Sequence, residues 1–131
     1  MSLTADLTLT ASYTSSPTLL VGERERSLYL LTAQNVDYIE SQGNHVRLHC
    51  GGIEYISRDS IKRLAIILAA RGFVRIERSL LLNIRAIDCA QRVGRGAYRF
   101  TLHSGVSLRS GARYRDGIVR VIPSAHARER L

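Results

Sequence analysis

The chain has 131 residues, 45% apolar and 23% charged, with 19 Lys and Arg against 11 Asp and Glu for a net charge of +8. That length and balance favour one domain with a modest core. They exclude a disulfide scaffold, since only two cysteines are present, and a membrane-spanning helix, since the longest apolar run is the heptapeptide 64–70.

Residues 1–18 are half Ser or Thr, contain Pro17 and read as a flexible tail or linker. They show no basic start followed by an apolar stretch, so no signal peptide is expected. Leu7, Leu9, Ala11 and Tyr13 alternate with polar residues, which also permits an edge strand. A single domain is expected over 19–122, and 123–131 reads as a polar C-terminal tail that Pro123 sets off.

Inside the domain, strands are predicted at 27–31 and 36–40. The segment 45–50 has the clearest alternation, with Val46, Leu48 and Cys50 on one face and His45, Arg47 and His49 on the other. Gly43-Asn44 punctuates the approach to it, and Gly51-Gly52 forms a tight turn into a strand at 53–57. A helix follows, capped by Asp59 or Ser57, with Ile61, Leu64, Ala65, Leu68 and Ala69 at helical spacing and Gly72 as its C-terminal stop. Strands are predicted again at 73–76, 84–93, 97–103 and 106–109. Leu80, Leu81 and Leu82 read as core, within a short turn over 79–83 that Ser79 could cap. A last short helix, capped by Ser110, would bury Tyr114, Ile118, Val121 and Ile122. The fold class is therefore mainly β with short helices: antiparallel sheets, one middle helix and one C-terminal helix. Strands that do not alternate with helices argue against a doubly wound parallel sheet.

The charge is uneven. Residues 1–40 hold two arginines and five acids, whereas 92–131 hold nine arginines and two acids. Lys62 is the single lysine. Arginine is the forked, permanently charged donor that suits phosphates and guanine edges, so a polyanionic partner is indicated, nucleic acid first. No enzyme is expected, because the sequence has no phosphate loop, no H-E-x-x-H and no nucleophile elbow. His45, His49, Cys50 and His103 do not make a zinc site: Cys50 points away from the two strand histidines, which leaves the ligand set short. Neither a metal nor another cofactor is expected. Cys50 and Cys89 read as small core residues.

Four pieces, in order, carry a resemblance: DYIESQGNHVRLH (37–49), YISRDSIKRL (55–64), GFVRIERSLLLNIRAID (72–88) and TLHSGVSLRSGARYRDGI (101–118). The most specific is the third, with Phe73, Arg75, Arg78, Ser79 and Asn83 in register. Together they resemble the LytTR family, the DNA-binding domain of LytR/AlgR/AgrA-type response regulators of bacterial two-component systems. The resemblance implies antiparallel β-sheets with short helices. It also implies a domain lying along one side of double-stranded DNA, with loops in two successive major grooves, at repeat elements near promoters.

By that resemblance three residues would contact bases: His45 after the Gly43-Asn44 turn, Arg78 within RIERS, and Arg113 at the start of the C-terminal helix. Asn44, Arg47, Arg58, Lys62, Ser79, Arg109 and Arg115 would make weaker contacts to the DNA backbone. Two positions depart from the family pattern. Gly111-Ala112 stands where Ser-Arg is usual, and Glu77 where His is common; Glu77 could accept from cytosine or hold Arg75 or Arg78 in place. Asn83 reads as structural, tying a loop to backbone groups.

The expected function is sequence-specific DNA binding by a cytoplasmic, nucleoid-associated transcription regulator, without membrane insertion. No receiver domain is visible in the sequence, so a receiver or other regulatory partner would lie outside it. Two other readings remain at this stage. One is a basic protein-interaction module docking an acidic or membrane-bound partner. The other is an RNA-binding β-domain, which the few aromatics and the inward phase of Tyr98 and Phe100 disfavour.

Overall fold

A computed structural model describes residues 17–122; the tail segments 1–16 and 123–131, including the alternating stretch from Leu7 to Tyr13, lie outside the described residues. Five strands lead the chain: β1 (Leu19–Arg24), β2 (Ser27–Thr32), β3 (Tyr38–Gln42), β4 (His45–Cys50) and β5 (Ile53–Ser57). Helix α1 (Ile61–Leu68) follows, then β6 (Phe73–Glu77), β7 (Leu80–Asn83), β8 (Ile87–Val93), β9 (Ala97–Leu102), β10 (Ser107–Arg109) and α2 (Arg115–Val121).

β1 to β7 form one antiparallel sheet in the order β2-β1-β5-β4-β3-β7-β6, and β8 to β10 form a second in the order β10-β9-β8. Two apolar clusters hold the molecule together. One lies under α1 and includes Ile39, Val46, Leu48, Leu64, Leu68, Phe73 and Leu81. The other joins β6 and β7 to the small sheet and α2, through Val74, Ile76, Leu82, Phe100, Leu102 and Ile118. The β6–β7 hairpin thus has a core on each face. Phe73 and Leu81 point into one and Val74 and Leu82 into the other, as alternation along a strand requires. A strand buried on both faces reads as an unbroken apolar run, which explains why Leu80, Leu81 and Leu82 carry no visible period. They are strand, not the short turn expected after Ser79.

Other local expectations change for identifiable reasons. β1 is not apparent in the sequence because only Leu20 of its leading apolar residues is buried, while Leu19 and Val21 are about half exposed. The strand expected at 36–40 starts two residues later, because Ala33–Asn35 is a 3₁₀ turn closed by the Val36 N–H on the Ala33 carbonyl. α1 is capped by Ser60, whose hydroxyl accepts from the Arg63 N–H, rather than by Asp59 or Ser57; the helix gives way to a 3₁₀ turn that ends on left-handed Gly72 at φ 88°. Ile84–Ala86 is a 3₁₀ turn, so the strand expected from 84 begins at Ile87. Ser110 does not cap the last helix. It is buried, and its hydroxyl accepts from the Tyr98 N–H at 2.9 Å. On α2, Val121 is exposed, and Val119 packs on the core instead. Cys89 is exposed, while Cys50 packs half-buried against the first core. Asn83 ties its loop as expected: its Nδ2 donates to the carbonyls of Gln34 and Val36, and its Oδ1 accepts from the Arg85 N–H.

Candidate nucleic-acid interface

The sheet order places three turns side by side at one end of the molecule. β3 and β4 are joined through Gly43-Asn44, and Gln42 pairs with His45. β7 lies next to β3, with Glu40 opposite Leu80, so the Arg78-Ser79 turn that opens β7 sits at that same end. The Ser41 N–H donates to the Ser79 carbonyl at 2.9 Å and joins the two turns directly. β6 flanks β7 at the sheet edge, and the Gly111 N–H donates to the Ile76 carbonyl at 2.9 Å. Beyond Gly111, Ala112–Tyr114 makes a 3₁₀ turn that carries Arg113. The row therefore runs His45, Arg78, Arg113. His45 is half-buried, and both arginines are exposed.

The middle turn is the most elaborately held. The β6–β7 register shifts between Arg75 and Glu77, a bulge that bends the end of β6. One carboxylate oxygen of Glu77 accepts from the Arg78 N–H at 2.9 Å. The Arg75 guanidinium donates to the Arg78 carbonyl. Both sides of the Arg78 peptide frame are thus occupied by side chains of its own hairpin, and the Arg78 side chain projects from a fixed base. Glu77 also lies against Gly111: a Cβ at that glycine would come within 2.7 Å of Oε2.

The weaker candidates divide. Arg58 follows β5 at the same end as His45, since Val46 pairs with Ser57; its side chain is 84% exposed, with Nε 3.5 Å from Glu23. Lys62 and Asn44 are exposed. Ser79 is half-buried, with its carbonyl engaged by Ser41. Arg47 is held on the outer face of β4 by Glu54 at 3.2 Å, which leaves it less available to a phosphate. Next to it, His49 stacks on Tyr38 with ring centroids 4.1 Å apart, and its Nε2 donates to Glu40 Oε1 at 3.1 Å. The outer face of this strand is therefore a packed, charge-paired layer rather than the open basic face that alternation alone suggests. Burial, and then the neighbouring Glu40, Glu54 and Asp37, push the Tyr38 phenol up from its ordinary range. Arg109 is exposed on β10, and Arg115 lies 3.6 Å from Asp116.

The LytTr DNA-binding domain model matches residues 26–122. The chain belongs to that family. Within the LytTr domain, a solved structure described as the LytTr DNA-binding domain of a methyl-accepting/DNA response regulator from Bacillus cereus superposes with a TM-score of 0.75. It is 12% identical, and the match covers 80% of this chain and 96% of that one, so the likeness is one of fold. No curated relative matches the chain. The LytTr domain is a DNA-binding domain, and DNA is its partner. Among the described residues no helix is long and apolar enough to cross a membrane, and no group of three or more His, Cys, Asp or Glu is placed to hold a metal.

Glu77 holds Arg78 in place, one of the roles the sequence left open, while its nearness to Gly111 and the support from Arg75 were not legible in the motifs. Glu77 serves the backbone of Arg78 and fills the space beside Gly111, so the two departures from the family pattern touch each other. Arg75 supports the same turn from the other side. The available signal was that both departures fall in the motifs that carry Arg78 and Arg113.

Proposed function

We propose that the row of His45, Arg78 and Arg113 is the base-reading flank of a transcription regulator, with His45 and Arg113 in successive major grooves and Arg78 between them. The single observation that carries this reading is the bonding of the three turns into one rigid row, by Ser41 to Ser79 and by Ile76 to Gly111. Neighbouring strands lie about 4.8 Å apart, so the backbones of the outer turns stand roughly 15–20 Å apart before side chains extend. That spacing suits a crossing of the minor groove, about 6 Å wide between its two backbones. An arginine donating two parallel hydrogen bonds to guanine O6 and N7 discriminates by about 1–3 kcal/mol. Asn44, Arg58, Lys62 and Ser79 take the phosphates beside the row and fix its register. Arg47, Arg109 and Arg115 rank lower as partners of that same duplex segment.

On this reading the protein acts in the cytoplasm at repeat elements near promoters, and a receiver or another regulatory partner outside this sequence supplies control. Selection from random duplexes tests it. A recovered repeat, bound with a steep loss of affinity as salt rises, supports the flank. Recovery of no preferred sequence overturns it and favours docking to an acidic protein instead.

A further inference from the structure

The basic row does not stop at Arg113. A Cβ placed on Gly96 would stand 3.2 Å from Cδ of Arg115 and 3.5 Å from Cβ of Ala112. The β8–β9 turn, Gly94-Arg95-Gly96, is therefore packed beside the residue that precedes Arg113. Both glycines are left-handed, at φ 62° and 68°, which keeps the turn tight and free of side chains at those points. Between this turn and the start of α2 lies an open cleft of about 560 Å³, lined in part by Arg92, Arg95 and Arg115. A fourth guanidinium lies beside the turn without lining the cleft: Nη2 of Arg109, from β10, is 3.8 Å from where a Cβ on Gly94 would stand.

These charges are poorly balanced from within. Arg115 has Asp116 at 3.6 Å, but Arg92, Arg95 and Arg109 have no carboxylate ion pair among the described residues. Like charges gathered at a cleft repel one another, and the field they make favours an anionic ligand. The open shape and the guanidinium groups on its walls suit a run of phosphates better than a base edge.

We propose that this cleft binds the phosphodiester backbone of the duplex just beyond the groove that Arg113 enters, so that the footprint extends one turn of the protein further than the base-reading row. The proposal rests on the reading of that row as the DNA-facing flank. Arg92 and Arg95, both exposed and lining the cleft, are its new contact residues.

The test uses the full chain, the selected duplex, and a duplex shortened on the side next to the half-site that Arg113→Ala weakens. In an Arg92→Ala/Arg95→Ala variant, the slope of log affinity against log salt falls by about 2, affinity drops roughly tenfold at moderate salt, and the preferred sequence is unchanged. On the shortened duplex the native protein falls to the level of the variant. Arg92→Lys/Arg95→Lys retains most of the binding, because a phosphate responds to charge. An unchanged slope in the alanine variant overturns the proposal. So does a tenfold gap between native protein and alanine variant that persists on the shortened duplex, which would mean a diffuse field rather than a contact. Thermal protection by inorganic pyrophosphate with the salt slope unaltered would assign the cleft to a free phosphate ligand and also overturn it. A native protein that selects no duplex fails in a different way, and that result removes the base-reading flank along with this extension.

Discussion

The carboxylate of Glu77 occupies the space beside Gly111, where any Cβ would approach Oε2 to 2.7 Å. This contact joins the turn that carries Arg78 to the segment that carries Arg113. The positions that bear Glu77 and Gly111 are therefore neighbours in space. A side chain at position 111 would oblige the Glu77 carboxylate to turn aside, and glycine leaves it in place.

The pairing predicts a specific non-additivity. Gly111→Ala is expected to cost about 0.5–1.5 kcal/mol, the worth of the Glu77–Arg78 hydrogen bond that the displaced carboxylate strains, since its φ of −88° is open to alanine and only the contact with Glu77 opposes it. The same change in a Glu77→Ala background costs less, and the coupling falls at the low end of about 0.5–3 kcal/mol. Denaturant melts of the four proteins in the cycle measure this. Strict additivity would show that the carboxylate swings away freely.

Arg113→Ala is expected to weaken binding to the selected repeat by about 1–3 kcal/mol, and to weaken binding to random duplex much less. Arg78→Ala relaxes base preference near the centre of the repeat. Binding titrations on matched and scrambled duplexes separate the two. Equal losses on both duplexes would make Arg113 a phosphate contact.

Leu64 is 1% exposed under the large sheet, whereas Ile66 on the same helix is 71% exposed. Leu64→Ala should therefore destabilise the fold by about 2–5 kcal/mol, and Ile66→Ala by no more than about 0.5 kcal/mol. Thermal or urea melts would read the contrast directly, and similar costs at both sites would mean the helix face is rotated.

The two cysteines should differ in reactivity. Burial, and then the nearby Asp37, push the Cys50 thiol up to about 11, while Cys89 is exposed on β8. The thiolate is the nucleophile, so Cys50 is almost entirely protonated and slow to alkylate at pH 8. Timed iodoacetamide labelling with peptide mapping should find Cys89 modified first. Cys50 should gain reactivity only as pH rises towards 11.

The sequence by itself determined the antiparallel β-class, the α1 face with Leu64 and Leu68, the inward phase of Tyr98, Phe100 and Leu102, and the motif order that marks the family. These features repeat at a fixed local period or stand in a fixed register, so a linear string displays them. The tertiary structure decided the rest. β1 is held mainly by its ladder with β2 and carries one buried leading residue, so its pattern is weak. The β6–β7 run has no period because both its faces are covered, and Ser110 serves the Tyr98 amide across a sheet rather than the helix that follows it. The alignment of His45, Arg78 and Arg113 depends on β7 adding beside β3 and on the Gly111 segment adding beside β6. Those pairings link residues more than thirty positions apart in the chain. Which distant strands meet is settled by burying two cores at once, and no local spacing encodes that choice.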